Sequence, residues 1–547
     1  MKSGKLPSFW LNFVLSVSGS ILFYLSHPNT LTLTGVSVLG YTALIPFFLL
    51  IKRTRLKVSF FWGAFCGLLS YVLFNFWILF FHPVAIYIIA AYYLVLYAFL
   101  FPLLKIIDIS FPRYGFVFQA VAWVGYEYIK SAGFMGYPYG IIGYTQWHFP
   151  LLIRSASILG VWGISFLLAF CSSLSASIIY KTAMGKSFRA TFQIYGKYAA
   201  VWIGCFFAFI AYGFFAKTDY SSCTFEKIAL VQPNADPWLG NIEVYKHNFS
   251  ELKTLSEKAL AENPDTSLVV WPETAFIPRI KWHYKYARDV EAAALVRNLL
   301  DFLNGQKVPF LVGNDDAVFE GKDARSLEEG RLDYNAALFF KPGKNVIPPE
   351  PYVYRKMRLV PFTEHFPYKK IFPRVYNFLH ENDTHFWEKG NESTVFNLNG
   401  IKFGVPICFE DCFGYISATF VKNGANLIVN ITNDAWAKSP VSQYQHLSMA
   451  VFRAVENRVP VVRAASSGQT AYIDPNGNIQ AMLKPFSKDF LIADVPVLTE
   501  RRKTVYSFAG DYVAQTALAI TCAVSIAALF KKVCRRPLKL GVLNEKK

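Results

Sequence analysis

The sequence predicts two architectures in one chain, a membrane α-helical bundle of about eight spanning helices and an α/β domain of about 290 residues. Three observations lead there. Of the 547 residues, 53% are hydrophobic and 17% aromatic, too apolar for a soluble enzyme and long enough for a membrane part plus a domain. The first two hundred or so residues and one late stretch hold apolar runs of 18 or more residues, the length that a bilayer core of about 30 Å requires at 1.5 Å per residue. From Ser221 onward short β-branched or apolar runs alternate with helical stretches.

Spans are predicted near 8–26, 31–51, 59–82, 84–104, 115–134, 158–180, 198–216 and 511–530. They divide the chain into N-terminal transmembrane helices (1–216), a polar domain (217–506), and a closing transmembrane helix with a basic tail (507–547). The first span also fits a cleaved signal peptide, because Lys2 and Lys5 precede an apolar core. The further spans on short links, without a clear small-residue cleavage site, weigh against that.

The net charge of +18 is a topology signal. Residues 217–506 are nearly neutral, with about 34 basic and 33 acidic side chains, so about 21 basic against 4 acidic residues remain for the rest. About 19 of those 21 fall on one side if the helices alternate, among them Lys2, Lys5, "KRTRLK" at 52–57, Lys105, Arg113, Lys181 to Lys197, and "KKVCRRPLK". Both termini are then expected in the cytoplasm and residues 217–506 across the membrane. A nucleic-acid partner is excluded, because the basic residues flank apolar spans instead of covering the polar domain.

Within the spans, Glu127 in "AWVGYEYIKS" stands out, since an intramembrane carboxylate normally faces protein or water. Pairing with Lys130 near a helix end is the plainer alternative. "MGYPYGIIGYTQW" (135–147) is too broken for a spanning helix and reads as an interfacial or re-entrant loop on the outer side.

In the polar domain, strands are predicted in "KIALVQPN", "TSLVVWPE", "VPFLVGND", "NAALFFKP", "YVYRKMRLVPF", "IKFGVPICFE", "ANLIVNITND" and "PVVRAASSG", with helical spacing at 241–262, 287–304 and 442–457. Buried strands of this kind carry their chemistry at their ends. Glu273 follows "SLVVWP", Lys356 follows "YVYR", and Cys408 follows "FGVPI". A thiol becomes a strong nucleophile as thiolate; a nearby ammonium favours that form, and a carboxylate can accept the proton. The ammonium and a backbone N–H can then stabilise a tetrahedral oxyanion, so the three groups suffice for acyl transfer through a thioester.

Each residue alone has a plainer reading. Cys408 fits a core position, Glu273 a helix cap, and Lys356 a solvated strand end. Cys408 and Cys412 also fit a redox pair or half a metal site, yet no CxxC and no histidine cluster accompanies them. The nine histidines show no ligand spacing, and no phosphate or dinucleotide fingerprint follows any strand. Neither a metal nor an organic cofactor is expected.

In order along the chain, "WPETA", "KMRLVPFTEHFP", "GVPICFED" and "NITNDAW" resemble the nitrilase (carbon-nitrogen hydrolase) superfamily. With the preceding spans and the single closing helix, the whole chain resembles the apolipoprotein N-acyltransferase family. The resemblance implies a nitrilase-like α-β-β-α sandwich, with Glu273 as general base, Lys356 as oxyanion-stabilising cation and Cys408 as nucleophile. Glu364 and Glu410 match supporting glutamates, and Trp436 a tryptophan near the lipid pocket, although simple packing explains that residue equally well. Trp238 resembles a family tryptophan at shorter spacing, and "EYIKS", with Glu127, resembles a family "EW-x-R-S" in which Lys130 replaces arginine. Phe409 stands where the family often has tyrosine, and Thr363 where it often has glycine.

The implied reaction is a two-step transfer on the outer face of a bacterial inner membrane. An acyl chain from the sn-1 position of a phospholipid such as phosphatidylethanolamine passes through a Cys408 thioester to the α-amino group of a diacylglyceryl-cysteine apolipoprotein. Each CH₂ of an acyl chain costs about 0.8 kcal/mol to bring into water, so such a site must meet both lipids at the bilayer surface. A monomer is expected. Two rivals remain: a membrane-tethered amidase of the same superfamily, which would need only one anchor, and a transport or binding protein, which would need a charged pathway through the bundle.

Overall fold

The computed structural model describes residues 8–81, 84–320, 326–327, 330–381, 385–498 and 503–534. Lys2, Lys5 and residues 535–539 of the basic tail, which entered the charge argument, lie outside the described residues. The membrane part consists of α1 (Ser8–Ser26), α2 (Leu56–Phe74), α3 (Ala85–Ser110), α4 (Gly115–Ser131), α5 (Ala156–Ala183), α6 (Phe188–Phe215) and a closing helix, Tyr512–Cys534.

Among the described residues six helices are long and apolar enough to cross a membrane, all of these except α4, so the count falls below the eight expected. Two predicted spans account for the difference. The 115–134 stretch forms a helix of 17 residues whose Glu127 and Lys130 are buried by α5 and the closing helix. The 31–51 stretch is broken into a 3₁₀ turn, Ser37–Tyr41, and a nine-residue helix, Ile45–Arg53. Phe47, Phe48 and Leu50 of that short helix are fully buried. A segment wrapped by protein instead of lipid can satisfy its backbone without one continuous helix.

The polar domain holds twelve strands among the described residues: β1 (Phe225–Gln232), β2 (Thr266–Val270), β3 (Phe310–Phe319), β4 (Arg331–Phe340), β5 (Tyr352–Arg355), β6 (Val395–Leu398), β7 (Ile401–Gly404), β8 (Leu427–Thr432), β9 (Val461–Ala465), β10 (Ala471–Ile473), β11 (Ile479–Met482) and β12 (Asp489–Pro496). All eight predicted strand runs appear. They form two mixed six-stranded sheets, ordered β12-β1-β2-β3-β4-β5 and β11-β10-β9-β8-β7-β6. In each, two neighbouring parallel pairings are flanked by antiparallel ones.

Strand alternation sets the layers. Ile228 and Leu230 of β1 share a core with Phe403, Val429 and Ile431 of the second sheet, whereas Ala229 and Val231 pack with Leu252 and Leu299 of α7 (Ile242–Glu262) and α8 (Val290–Asn304). Asn241 and Asp289 start those helices by accepting hydrogen bonds from Val244 N and Ala292 N. α9 (Gly414–Lys422) and α10 (Pro440–Asn457) cover the second sheet, which completes the α-β-β-α sandwich.

α10 is also the joint to the membrane bundle, and nearly all of its residues are buried. Gln445 Nε2 donates to Pro28 O at 3.1 Å and Phe74 O at 3.2 Å, and Trp77 Nε1 donates to Gln445 Oε1 at 2.9 Å. Arg453 NH2 reaches the Tyr144 hydroxyl at 3.2 Å. Residues 135–147, predicted as a non-spanning loop, form turns and a short 3₁₀ segment, buried from Pro138 to Trp147 between the two halves.

Candidate active site

Glu273, Lys356 and Cys408 each follow a strand of the two sheets and come within electrostatic reach of one another. Glu273 follows β2 through Trp271 and Pro272, and Gly313 of β3 makes room for that turn: a Cβ there would meet Pro272 O and lie 2.8 Å from the Glu273 Cα. Lys356 directly follows β5 and is fully buried. Its Nζ donates to Glu273 Oε1 at 3.1 Å and to Glu364 Oε1 at 2.8 Å. Glu273 is fixed further by Asn335 Nδ2 at 2.8 Å and Asn433 N at 3.0 Å, and Glu364 by Val360 N at 2.8 Å.

Cys408 opens a 3₁₀ turn, Cys408–Cys412, with φ at +49°. That left-handed conformation costs a non-glycine residue on the order of 1–3 kcal/mol and needs surrounding contacts to hold it. Glu410 supplies them. Its buried carboxylate accepts from Ile407 N at 2.8 Å, Met357 N at 2.7 Å, Arg358 N at 2.9 Å and the Tyr354 hydroxyl at 2.8 Å. One side chain thus ties the cysteine turn to the lysine segment. Cys408 and Cys412 are both free thiols, so the disulfide reading does not hold.

Burial and the Glu273 charge push the Cys408 thiol well above its ordinary range, against the pull of Lys356. The resting sulfur is therefore held toward its protonated form. Burial opposes the charge on Lys356, but Glu273 and Glu364 outweigh it and hold the ammonium well above its ordinary value. Burial raises Glu364 despite Lys356 beside it. A proton-bearing nucleophile, a permanent cation and a carboxylate able to accept a proton are what acyl transfer requires.

Residues 227–503 match the carbon-nitrogen hydrolase family, and residues 19–174 match the apolipoprotein N-acyltransferase N-terminal domain. Apolipoprotein N-acyltransferase 1 of Treponema denticola is 64% identical over 93% of this chain and 94% of its own length. The protein of the same name from Treponema pallidum is 48% identical over 90% of each chain. The apolipoprotein N-acyltransferase of Geobacter metallireducens is 31% identical over 95% of this chain and 96% of its own. The chain belongs to the apolipoprotein N-acyltransferase family. As a family member it is a bacterial membrane enzyme of lipoprotein N-acylation.

Not every predicted site residue of this N-acyltransferase joins the cluster. Trp238 and Trp436 meet each other edge to face at 5.1 Å, and both approach Phe81 of the membrane part, at 6.1 and 6.5 Å. Trp436 lies on the short turn that carries Asp434, whose charge acts on the Cys408 thiol, so this aromatic group borders the site on the bundle side. Phe409 packs edge to face on Phe413 at 5.0 Å. Glu127 stands apart. Its Oε1 accepts from Ile142 N at 2.8 Å and Trp123 Nε1 at 3.2 Å, which anchors the 135–147 loop, and no ion pair with Lys130 forms within 4 Å.

Sequence reasoning missed a second buried charge network behind Cys408 of this N-acyltransferase. Asp411, in the Cys408 turn, pairs with Arg463 of β9. Arg463 NH2 reaches Asp434 Oδ2 at 3.3 Å, and His446 Nδ1 meets Asp434 Oδ1 at 2.9 Å. Burial works against a charged imidazole, but Asp434 and Cys412 raise His446 to about 10. The available signal was an arginine inside a strand whose other residues are all apolar or small, "VVRAA".

Proposed function

We propose that Cys408 attacks the sn-1 ester carbonyl of a membrane phospholipid, a phosphatidylethanolamine-like donor. Glu273 takes the thiol proton as the C–S bond forms, and Lys356 with a backbone N–H stabilises the oxyanion. Collapse breaks the C–O ester bond, and Glu273 returns the proton to the leaving glycerol oxygen, which releases a lysophospholipid. In the second step the neutral α-amino group of a diacylglyceryl-cysteine apolipoprotein attacks the thioester. Glu273 accepts a proton from that nitrogen, the C–S bond breaks, and the sulfur regains a proton as the amide leaves. Glu364 and Glu410 keep the cation and the cysteine turn in place.

The observation that carries this reading is the fully buried Lys356 held between Glu273 and Glu364, with Lys356 and Glu273 both in electrostatic reach of the half-buried Cys408. The excess of Lys and Arg on one side of the predicted spans supports an inner-membrane protein with both termini cytoplasmic and residues 217–506 on the outer side. The protein is read as a monomer. The test supplies detergent-solubilised enzyme with a chain-labelled phospholipid and a synthetic diacylglyceryl-cysteine peptide. Labelled N-acyl peptide and lysophospholipid in equal amounts are expected, whereas free fatty acid in place of the peptide product would identify a hydrolase.

A further inference from the structure

A cavity of about 230 Å³ opens where the polar domain meets the ends of α4, α5 and the closing helix. Cys412 and Phe413 line it, and Cys412 ends the turn that Cys408 begins, four residues and about 8 Å along a 3₁₀ axis. One water needs about 10–15 Å³ of such space, so the cavity has room for a polar head group.

Three charged side chains line this cavity: Arg453 pairs with Glu456, whereas Arg358 and Asp511 have no ion-pair partner within 4 Å among the described residues. Arg358, two residues after Lys356, lies over the Phe413 ring at 4.1 Å and donates to Gly133 O at 2.6 Å, and no carboxylate lies within 4 Å of it among the described residues. Asp511, at the start of the closing helix, accepts from Trp162 Nε1 at 2.8 Å and the Tyr506 hydroxyl at 2.7 Å through Oδ1 alone. No Lys, Arg or His nitrogen lies within 4 Å of this carboxylate among the described residues. Tyr415 lies between the two charges, bonded to Arg358 and within electrostatic reach of Asp511. An unpaired guanidinium and an unpaired carboxylate, set apart in one cavity among Trp and Tyr side chains, complement a zwitterion.

We propose that this cavity binds the zwitterionic phosphate–ammonium head group of a phospholipid, with the phosphate on Arg358 and the ammonium on Asp511. This rests on the acyl-transfer reading of Cys408 and assigns that reaction a head-group subsite. The donor and its lysophospholipid product share the head group, so the donor side is read separately, as the rate of acyl-adduct formation on Cys408 followed by intact mass.

The experiment uses the full-length enzyme in micelles with phosphatidylethanolamine or phosphatidylglycerol as donor, and water-soluble glycerophosphoethanolamine as competitor. Glycerophosphoethanolamine is expected to slow wild-type acylation competitively. Arg358→Gln raises the half-saturating donor concentration about tenfold, the loss of one charge-assisted contact, and Arg358→Lys restores most of it. Asp511→Asn, which keeps an oxygen for Trp162 and Tyr506, erases a preference for phosphatidylethanolamine over phosphatidylglycerol. No competition by glycerophosphoethanolamine, or equal loss in Arg358→Gln and Arg358→Lys without a shift in donor saturation, would overturn the subsite. Absence of any adduct on the wild-type enzyme would instead overturn the acyl-transfer reading beneath it.

Discussion

Lys356 Nζ lies 2.8 Å from Glu364 Oε1, and the lysine exposes no surface. A full cation is thus sealed between two carboxylates, and removing it leaves Glu273 and Glu364 facing each other unscreened. Lys356→Ala is expected to destabilise the domain by about 3–5 kcal/mol, the penalty for an uncompensated buried charge, and to abolish acylation. Thermal unfolding and intact-mass acylation, measured on the same preparation, check both effects. Lys356→Ala combined with Glu364→Gln should recover part of the stability and none of the acylation, because the oxyanion partner is still missing.

Glu410 holds the Cys408 turn against the Lys356 segment. Its carboxylate satisfies Ile407 N, Met357 N and Arg358 N, and Glu410→Ala would leave these three donors buried without partners. At about 1–3 kcal/mol for each buried orphan, the variant should lose several kcal/mol and much of its acylation rate. Glu410→Gln keeps one acceptor oxygen and should fall between. A rate loss that tracks unfolding midpoint across the three proteins is the expected result.

His446 makes stability pH-dependent on the alkaline side. Its folded value of about 10 exceeds the ordinary 6.5, so its contribution is complete below about pH 6.5 and is lost as pH rises through about 10. The groups that face it are Asp434, Arg463, Cys412 and the Tyr139 ring. His446→Gln should lower stability at pH 6 and flatten the decline between pH 6.5 and 10. Unfolding midpoints from pH 6 to 10.5 measure this slope directly.

The Phe81, Trp238 and Trp436 group joins the two halves beside the site. An edge-to-face pair contributes about 0.5–1.5 kcal/mol, so Trp436→Ala should weaken lipid saturation by roughly two- to tenfold. Trp238 is 47% exposed, and its removal should affect lipid saturation more than stability. Donor titrations of the two variants, with unfolding midpoints alongside, separate the effects.

The parts most legible in the sequence were those carried by strong local pattern. The β1 to β4 and β7 to β9 runs are largely buried, β5 carries the buried Tyr354, and Glu273, Lys356 and Cys408 stand at the first polar positions beyond three of these strands. β6, β10 and β11 have only three or four residues, and in β12 charged Asp489 and Asp494 interrupt the apolar run; all four gain their strand character from pairing partners. The 31–51 stretch was as apolar as a spanning helix, but hydropathy cannot distinguish lipid from surrounding protein as the solvent of Phe47 and Leu50. Asp411, Arg463, Asp434 and His446 come from four separate elements, and their network exists only once β8, β9 and α10 are packed.

Acylation of Cys408 tests the central claim most directly. Purified full-length enzyme is incubated with phospholipid alone and the intact chain is weighed. The account predicts one added fatty-acyl mass, released by hydroxylamine, absent from Cys408→Ala and discharged by a diacylglyceryl-cysteine peptide. An unmodified chain that nevertheless produces N-acylated peptide, or an adduct that persists in Cys408→Ala, would contradict it.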